Sequence, residues 1–159
     1  ENKPLDLFLC EKIFGRQLVN RKFRLQFSFF NESAAFKKNL YAIYNLKKEF
    51  HYYYLLAILN SAFFSYIQVN LNSSGQRDDY PAFSLQDYRN FLIPDLSQND
   101  QKSYINIVSK ILLHTQSNDY IQNKSKQHIV KEYDKQIDKM VYEIYGLSKE
   151  EIKIIEELN

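Results

Sequence analysis

The chain has 159 residues, enough for one domain with a real core and cramped for two. A hydrophobic content of 45% excludes wholesale disorder, and the single cysteine, Cys10, excludes an internal disulfide and suits a reducing, cytoplasmic setting. Net charge is only +2, but nine basic residues and one acid fall between Lys12 and Lys48, against ten basic and twelve acidic groups in residues 81–159. The front half is therefore a candidate polyanion footprint, to be weighed against a merely solvated basic face. No basic leader with a short apolar run opens the chain, so no signal peptide is expected, and a start at Glu1 without Met is what a fragment of a longer protein would show.

Three short apolar segments come first: Leu5–Cys10, Phe23–Phe30 and Leu40–Leu46. In the second, Phe23, Leu25, Phe27 and Phe29 alternate with Arg24, Gln26 and Ser28, the period of a strand with one buried and one wet face. The connecting segments 12–22 and 31–39 hold most of the positive charge and read as basic loops on a small sheet. Tyr52–Ile67 follows, apolar nearly all round apart from Asn60, Ser61 and Ser65. At 1.5 Å per residue it spans roughly 24 Å, short of the ~30 Å core of a bilayer. It reads as a buried central helix rather than a membrane span.

Residues 70–80 combine Gly75 with small polar neighbours and read as a loop, in which Asn72, Gln76 and Arg77 are side-chain types that make bidentate contacts to base edges. Ser84 and Asp87 mark a helix start, Phe91–Pro94 a brief strand, and Asp100 the cap of a helix to about Thr115. A polar turn is expected between Asp119 and Lys126. Val130, Tyr133, Ile137, Met140 and Ile144 then recur at spacings of three and four, a two-heptad seam suited to a helical hairpin. Gly146 ends that helix, and Ser148 with Glu151 forms a capping box for a short last one.

Catalytic patterns are missing. Gly15, Gly75 and Gly146 are too scattered for a phosphate loop, His51, His114 and His128 are not spaced as metal ligands, and no nucleophile elbow occurs. Asp95 with Asp100 and Lys102, or Glu151 with Lys153, only superficially matches a nuclease carboxylate–lysine set, because neither spacing converges on a metal.

Tyr54-Leu-Leu-Ala-Ile-Leu-Asn-Ser61 with Phe64 and Tyr66, then Phe91–Pro94, then Ile137-Asp138, Val141-Tyr142 and Ile144–Ser148 with Glu150–Ile152 occur in that order. Together they resemble the TaqI-like C-terminal specificity domain, the target-recognition domain of adenine-specific DNA methyltransferases and fused type II restriction–modification enzymes. The resemblance covers about residues 40–157; the first 40 match only in type. It implies sequence-specific recognition of double-stranded DNA, beside a separate catalytic methyltransferase domain of the same parent chain. The parent would use S-adenosylmethionine, with Mg2+ a further candidate, whereas neither the glycine-rich cofactor motif nor Asn-Pro-Pro-Tyr is present in this chain. This piece is thus expected to be non-catalytic and to hold no cofactor or metal of its own.

The expected fold is α+β, a single domain over 1–159. It comprises a basic strand-rich part (1–48), a central helix (50–69), a loop and short strand (70–98) and a helical part (99–159). Residue chemistry and loop placement nominate Arg16, Arg21, Lys22, Arg24, Lys37 and Lys38 for phosphate and Asn72, Gln76 and Arg77 for bases, with Arg16 or Arg21 next. No base contact can be carried over from the family phrases, which are core and helix-end residues. Two alternatives stand beside this reading: half of a separate type I-like specificity subunit, or a helical interaction module whose Val130–Ile144 seam pairs with a partner.

Overall fold

The computed structural model describes residues 5–18, 24–71, 82 and 84–157. Its elements are α1 (Asp6–Leu9), β1 (Lys12–Arg16), β2 (Phe27–Phe30), β3 (Leu40–Tyr44), α2 (Tyr52–Leu59), α3 (Ala62–Tyr66), α4 (Leu85–Arg89), α5 (Gln98–Thr115), α6 (Lys124–Ile144) and α7 (Lys149–Glu157). A π-helical turn, Ile67–Leu71, extends α3. The fold is α+β, as expected.

The three strands form one antiparallel sheet in the order β2-β1-β3. Ile13, Leu25 and Phe27 point into the core with Leu55, Leu56 and Ile58 of α2, and Phe29 and Ile43 pack against them. Gly15 stands opposite Phe27 in the β1–β2 register, and a Cβ at Gly15 would lie 2.4 Å from the Phe27 ring. That ring is wedged edge-on against Phe64 and Tyr88, so it has nowhere to retreat, and only glycine fits.

On the far side of α2 lie α5 and then α6, which supply Tyr104, Val108, Ile137 and Val141 to the same core. The Val130–Ile144 seam faces inward: Val130, Ile137 and Val141 are buried within this chain. Its apolar face is already occupied, which removes the reason to pair that seam with a partner. A second, smaller cluster joins Ala62, Tyr142 and Ile155, with Leu147 and Ile152 against it.

Helix boundaries follow local chemistry. Ser84 and Asp87 form a full capping box at α4. Ser148 and Glu151 do the same ahead of α7, after Gly146 adopts a φ of 67°. The cap of α5 lies three residues earlier than Asp100: it is Ser97, its hydroxyl accepting the Asp100 N–H, and Asp100 sits in the first turn. Asp100 is thus the acidic end of a Ser-x-x-Asp signature whose serine does the capping.

Four further expectations are corrected. Leu5–Cys10 is not a strand, because Asp6–Leu9 is a one-turn helix with only Leu7 buried. The strand position goes instead to Lys12–Arg16, expected as basic loop, which becomes the centre of the sheet. Phe91–Pro94 forms no strand; the carbonyls of Pro94 and Leu92 accept from the Tyr54 and Tyr145 hydroxyls at 2.8 and 2.7 Å, so side chains replace a strand neighbour. The Tyr52–Ile67 helix is broken at Asn60–Ser61, where the chain bends by 53° and the Ser61 hydroxyl restarts it by accepting the Phe64 N–H. Among the described residues no single helix is long and apolar enough to cross a membrane, and Tyr54–Leu59 are all buried.

Candidate nucleic-acid interface

The structure sorts the basic residues of the front half into cations that hold the fold together and cations left to solvent. Lys12 is of the first kind. Fully buried, it donates to the Glu32 carbonyl at 3.0 Å and the Phe8 carbonyl at 3.4 Å. Its ammonium stands 5.9 and 5.7 Å from the ring centres of Phe14 and Phe30. Carbonyl dipoles and ring faces thus compensate a charge that would be expensive to bury alone.

Arg24, nominated for phosphate, is also committed elsewhere. It forms an ion pair with Asp138 of α6, whose other carboxylate oxygen accepts the Ala62 N–H at 2.9 Å. One turn earlier on α6, Asp134 feels the same Arg24, but burial outweighs that attraction and pushes its carboxyl above the usual range. It lines a groove with Leu112, Tyr120 and Val130.

The raised value makes a sign-specific prediction. The folded state holds the Asp134 proton more tightly than the unfolded chain, so stability falls as pH rises from the unfolded carboxyl pKa of about 3.9 through the higher folded value. Asp134→Asn should therefore raise the melting temperature at pH 7, and the gain should vanish as pH drops below about 3.9. A gain that persists unchanged in acid would assign the effect to something other than this proton.

The solvent-facing cations Arg16, Lys37 and Lys38 share one end of the sheet. β1 ends at Arg16, paired with Leu40 at the start of β3, and the Leu40 N–H closes a turn on the Lys37 carbonyl at 3.2 Å. The Gln17 N–H adds a bond to Asn39 at 3.0 Å. All three side chains are exposed, and none makes an ion pair among the described residues. Tyr88 of α4 donates its hydroxyl to the Arg16 carbonyl at 3.0 Å and stacks edge-on against Tyr41. Burial holds that hydroxyl pKa well above its ordinary value, so it remains a donor.

An isolated bridge pairs Leu18 with Ala82 at this same end. Leu18 and Ala82 thus lie side by side, near Arg16 and the Lys37–Lys38 turn. Of the nominated residues, Arg21, Lys22, Asn72, Gln76 and Arg77 lie outside the described residues, as does Phe23. The structure brings together Arg16, Lys37 and Lys38, and sets Arg24 apart on the α6 side.

The family model for the TaqI-like C-terminal specificity domain matches residues 1–94. The chain belongs to this family. The match takes in the first forty residues, which the sequence resemblance reached only in type, and stops before the phrase at Ile137. That later region is covered by a relative from Methanocaldococcus jannaschii, 33% identical over 99% of this chain, whose name provisionally describes a type II restriction enzyme and methyltransferase. The chain spans 13% of that relative's length. No solved structure matches significantly.

With the TaqI-like specificity domain as frame, the family phrases acquire structural meaning. Asn60 and Ser65 hydrogen-bond the backbone of β2 and the residues leading into it, and Asp138 ties α6 to both Arg24 and Ala62. These are scaffold roles, made with partners that lie far along the chain.

Proposed function

We propose that this chain is the DNA-recognition module of a restriction–modification enzyme, reading a specific duplex sequence for an adenine-N6 methyltransferase domain of the same parent chain. The observation that supports it most is the solvent-facing Arg16–Lys37–Lys38 cluster, placed where the flanks of two polar segments meet, in a member of a specificity-domain family. Phosphate contacts from that cluster would fix register on the duplex. Arg77, Gln76 and Asn72 would then meet base edges, and Arg21 and Lys22 the backbone. Catalysis, S-adenosylmethionine and any Mg2+ belong to the parent's other domains, and the whole would work in the cytoplasm. S-adenosylmethionine supplies the methyl group there; this piece supplies the address.

A salt titration of duplex binding is the test. Log affinity should fall linearly with log salt concentration. Lys37→Ala with Lys38→Ala should weaken specific and random duplexes alike and flatten the slope by about 0.9 for each phosphate no longer neutralised. Arg77→Ala should instead relax sequence preference, removing about 1–3 kcal/mol of discrimination at the base pair it reads. Equal weakening on specific and random duplexes would end the base-reading role of Arg77. Absence of salt-dependent duplex binding would overturn the function itself.

A further inference from the structure

The other end of the sheet carries a second set of solvent-facing donors. β1 begins at Lys12, opposite Tyr44, so the turn that follows β3 lies at the end remote from Arg16 and Lys37. Between this turn, residues 10–11 and the start of α2 is a cavity of about 540 Å³, whose lining includes Lys47, Lys48, His51, Tyr53, Phe29 and Glu11. Lys47 and Lys48 are exposed, and neither makes an ion pair among the described residues. The helical lysines Lys126, Lys135 and Lys153 are, by contrast, each matched to a nearby acid.

His51 adds a donor of fixed identity. Its Nδ1 accepts the Tyr53 N–H at 3.0 Å as the cap of α2. A neutral imidazole that accepts at Nδ1 carries its hydrogen on Nε2, so the free edge of the ring is a donor. The turn is also held still. Gln101, fully buried on α5, accepts the His51 N–H at 2.9 Å and donates to the Glu49 carbonyl at 2.6 Å. Gln98 donates to the Lys48 carbonyl at 3.3 Å, and the Phe50 N–H closes the turn on Lys47 at 3.0 Å. The rings of Tyr53 and Phe29, packed edge-on at 5.2 Å, form an apolar wall beside the charges, and His51 packs edge-on against Tyr53 at 5.1 Å.

We infer that Lys47, Lys48 and His51 form a second phosphate contact, taking a backbone phosphodiester of the same duplex that Arg16, Lys37 and Lys38 engage. This rests on the DNA-recognition reading. The four residue steps of β1 set the two ends roughly 13 Å apart before the turns are added. A B-form major groove is about 12 Å wide. The two basic ends therefore reach phosphates on opposite sides of one groove, with the sheet lying across it. Glu11 is the one carboxylate in the cavity lining, and it opposes the anion.

The test is duplex binding by the full chain across a salt series, comparing Lys47→Ala/Lys48→Ala, Lys37→Ala/Lys38→Ala and Glu11→Gln, with thermal melting of each. The Lys47/Lys48 variant should melt as the parent does, bind specific and random duplexes more weakly by the same factor, and show a salt slope flatter by about 0.9 for the phosphate released. Glu11→Gln should bind more tightly. Parental affinity and slope for the Lys47/Lys48 variant, while the Lys37/Lys38 variant weakens, would overturn this second contact and leave the DNA-recognition reading standing. No salt-dependent duplex binding by the parent chain would overturn both.

Discussion

Asp138→Ala is expected to destabilise the fold by about 3 kcal/mol, the range seen when one partner of a largely buried ion pair is removed. Two donors are deprived of their acceptor at once. The Arg24 side chain, 29% exposed, loses its ion-pair partner and keeps the partly buried Asp134 carboxyl nearby, and the Ala62 N–H at the start of α3 loses its acceptor. Asp138→Asn should recover only part of the stability. Its oxygen can still accept from Ala62, but its amide then presents a donor to a guanidinium that is itself all donor.

Urea unfolding of Asp138→Ala should show a lower midpoint at unchanged slope. A double-mutant cycle with Arg24→Ala should give a coupling well outside the few tenths of a kcal/mol expected of independent sites. Additive behaviour would mean that the ion pair contributes nothing and that Asp138 matters only as the acceptor of the Ala62 N–H. Duplex binding gives a second discriminator. If Arg24 is spent on Asp138, Arg24→Ala should leave the salt slope of DNA binding unchanged while lowering stability.

Features fixed within four residues are legible in the sequence itself. The boxes at Ser148–Glu151 and Ser84–Asp87 each close a ring of atoms between near neighbours, the positive φ at Gly146 belongs to one residue, and all three stand as expected. The α+β class and the inward alternation of Leu25, Phe27 and Phe29 were equally readable from period alone.

What failed was decided at long range. Lys12 looks like one more loop cation until the carbonyls of Phe8 and Glu32 close over it; nothing between Glu11 and Arg16 says so. Phe91–Pro94 has the composition of a strand, but hydroxyls from Tyr54 and Tyr145 reach its carbonyls first. The partner of Arg24 lies 114 residues away. Charge counting marked a basic region of the chain, while the separation of structural from available cations needed the packing.

Asn60 is the clearest case of a residue whose task lies across the fold. Among the described residues β2 is an edge strand, with β1 on one side only. An open edge presents unpaired backbone groups that invite pairing with another chain. Asn60 closes this one by standing in for a neighbouring strand: its Oδ1 accepts the Phe27 N–H at 2.8 Å and its Nδ2 donates to the Phe27 carbonyl at 3.1 Å. The Ser65 hydroxyl takes the Leu25 N–H at 3.1 Å. The break between α2 and α3 places Asn60 at the end of one helix and Ser65 in the next, so the bend and the edge cover are one device.

Asn60→Ala should therefore leave a buried donor and a buried acceptor unmet at Phe27, lowering stability by about 2–3 kcal/mol. Asn60→Asp should be nearly as damaging, because it retains the acceptor but sets a carboxylate against the Phe27 carbonyl. Amide hydrogen exchange separates this from a general destabilisation. The Phe27 amide should lose protection by a larger factor than amides of α5 or α6, since its bond is broken locally rather than through global unfolding. Phe27 exchanging in step with the helices would show that Asn60 acts only by ending α2, and that packing alone holds the edge of β2.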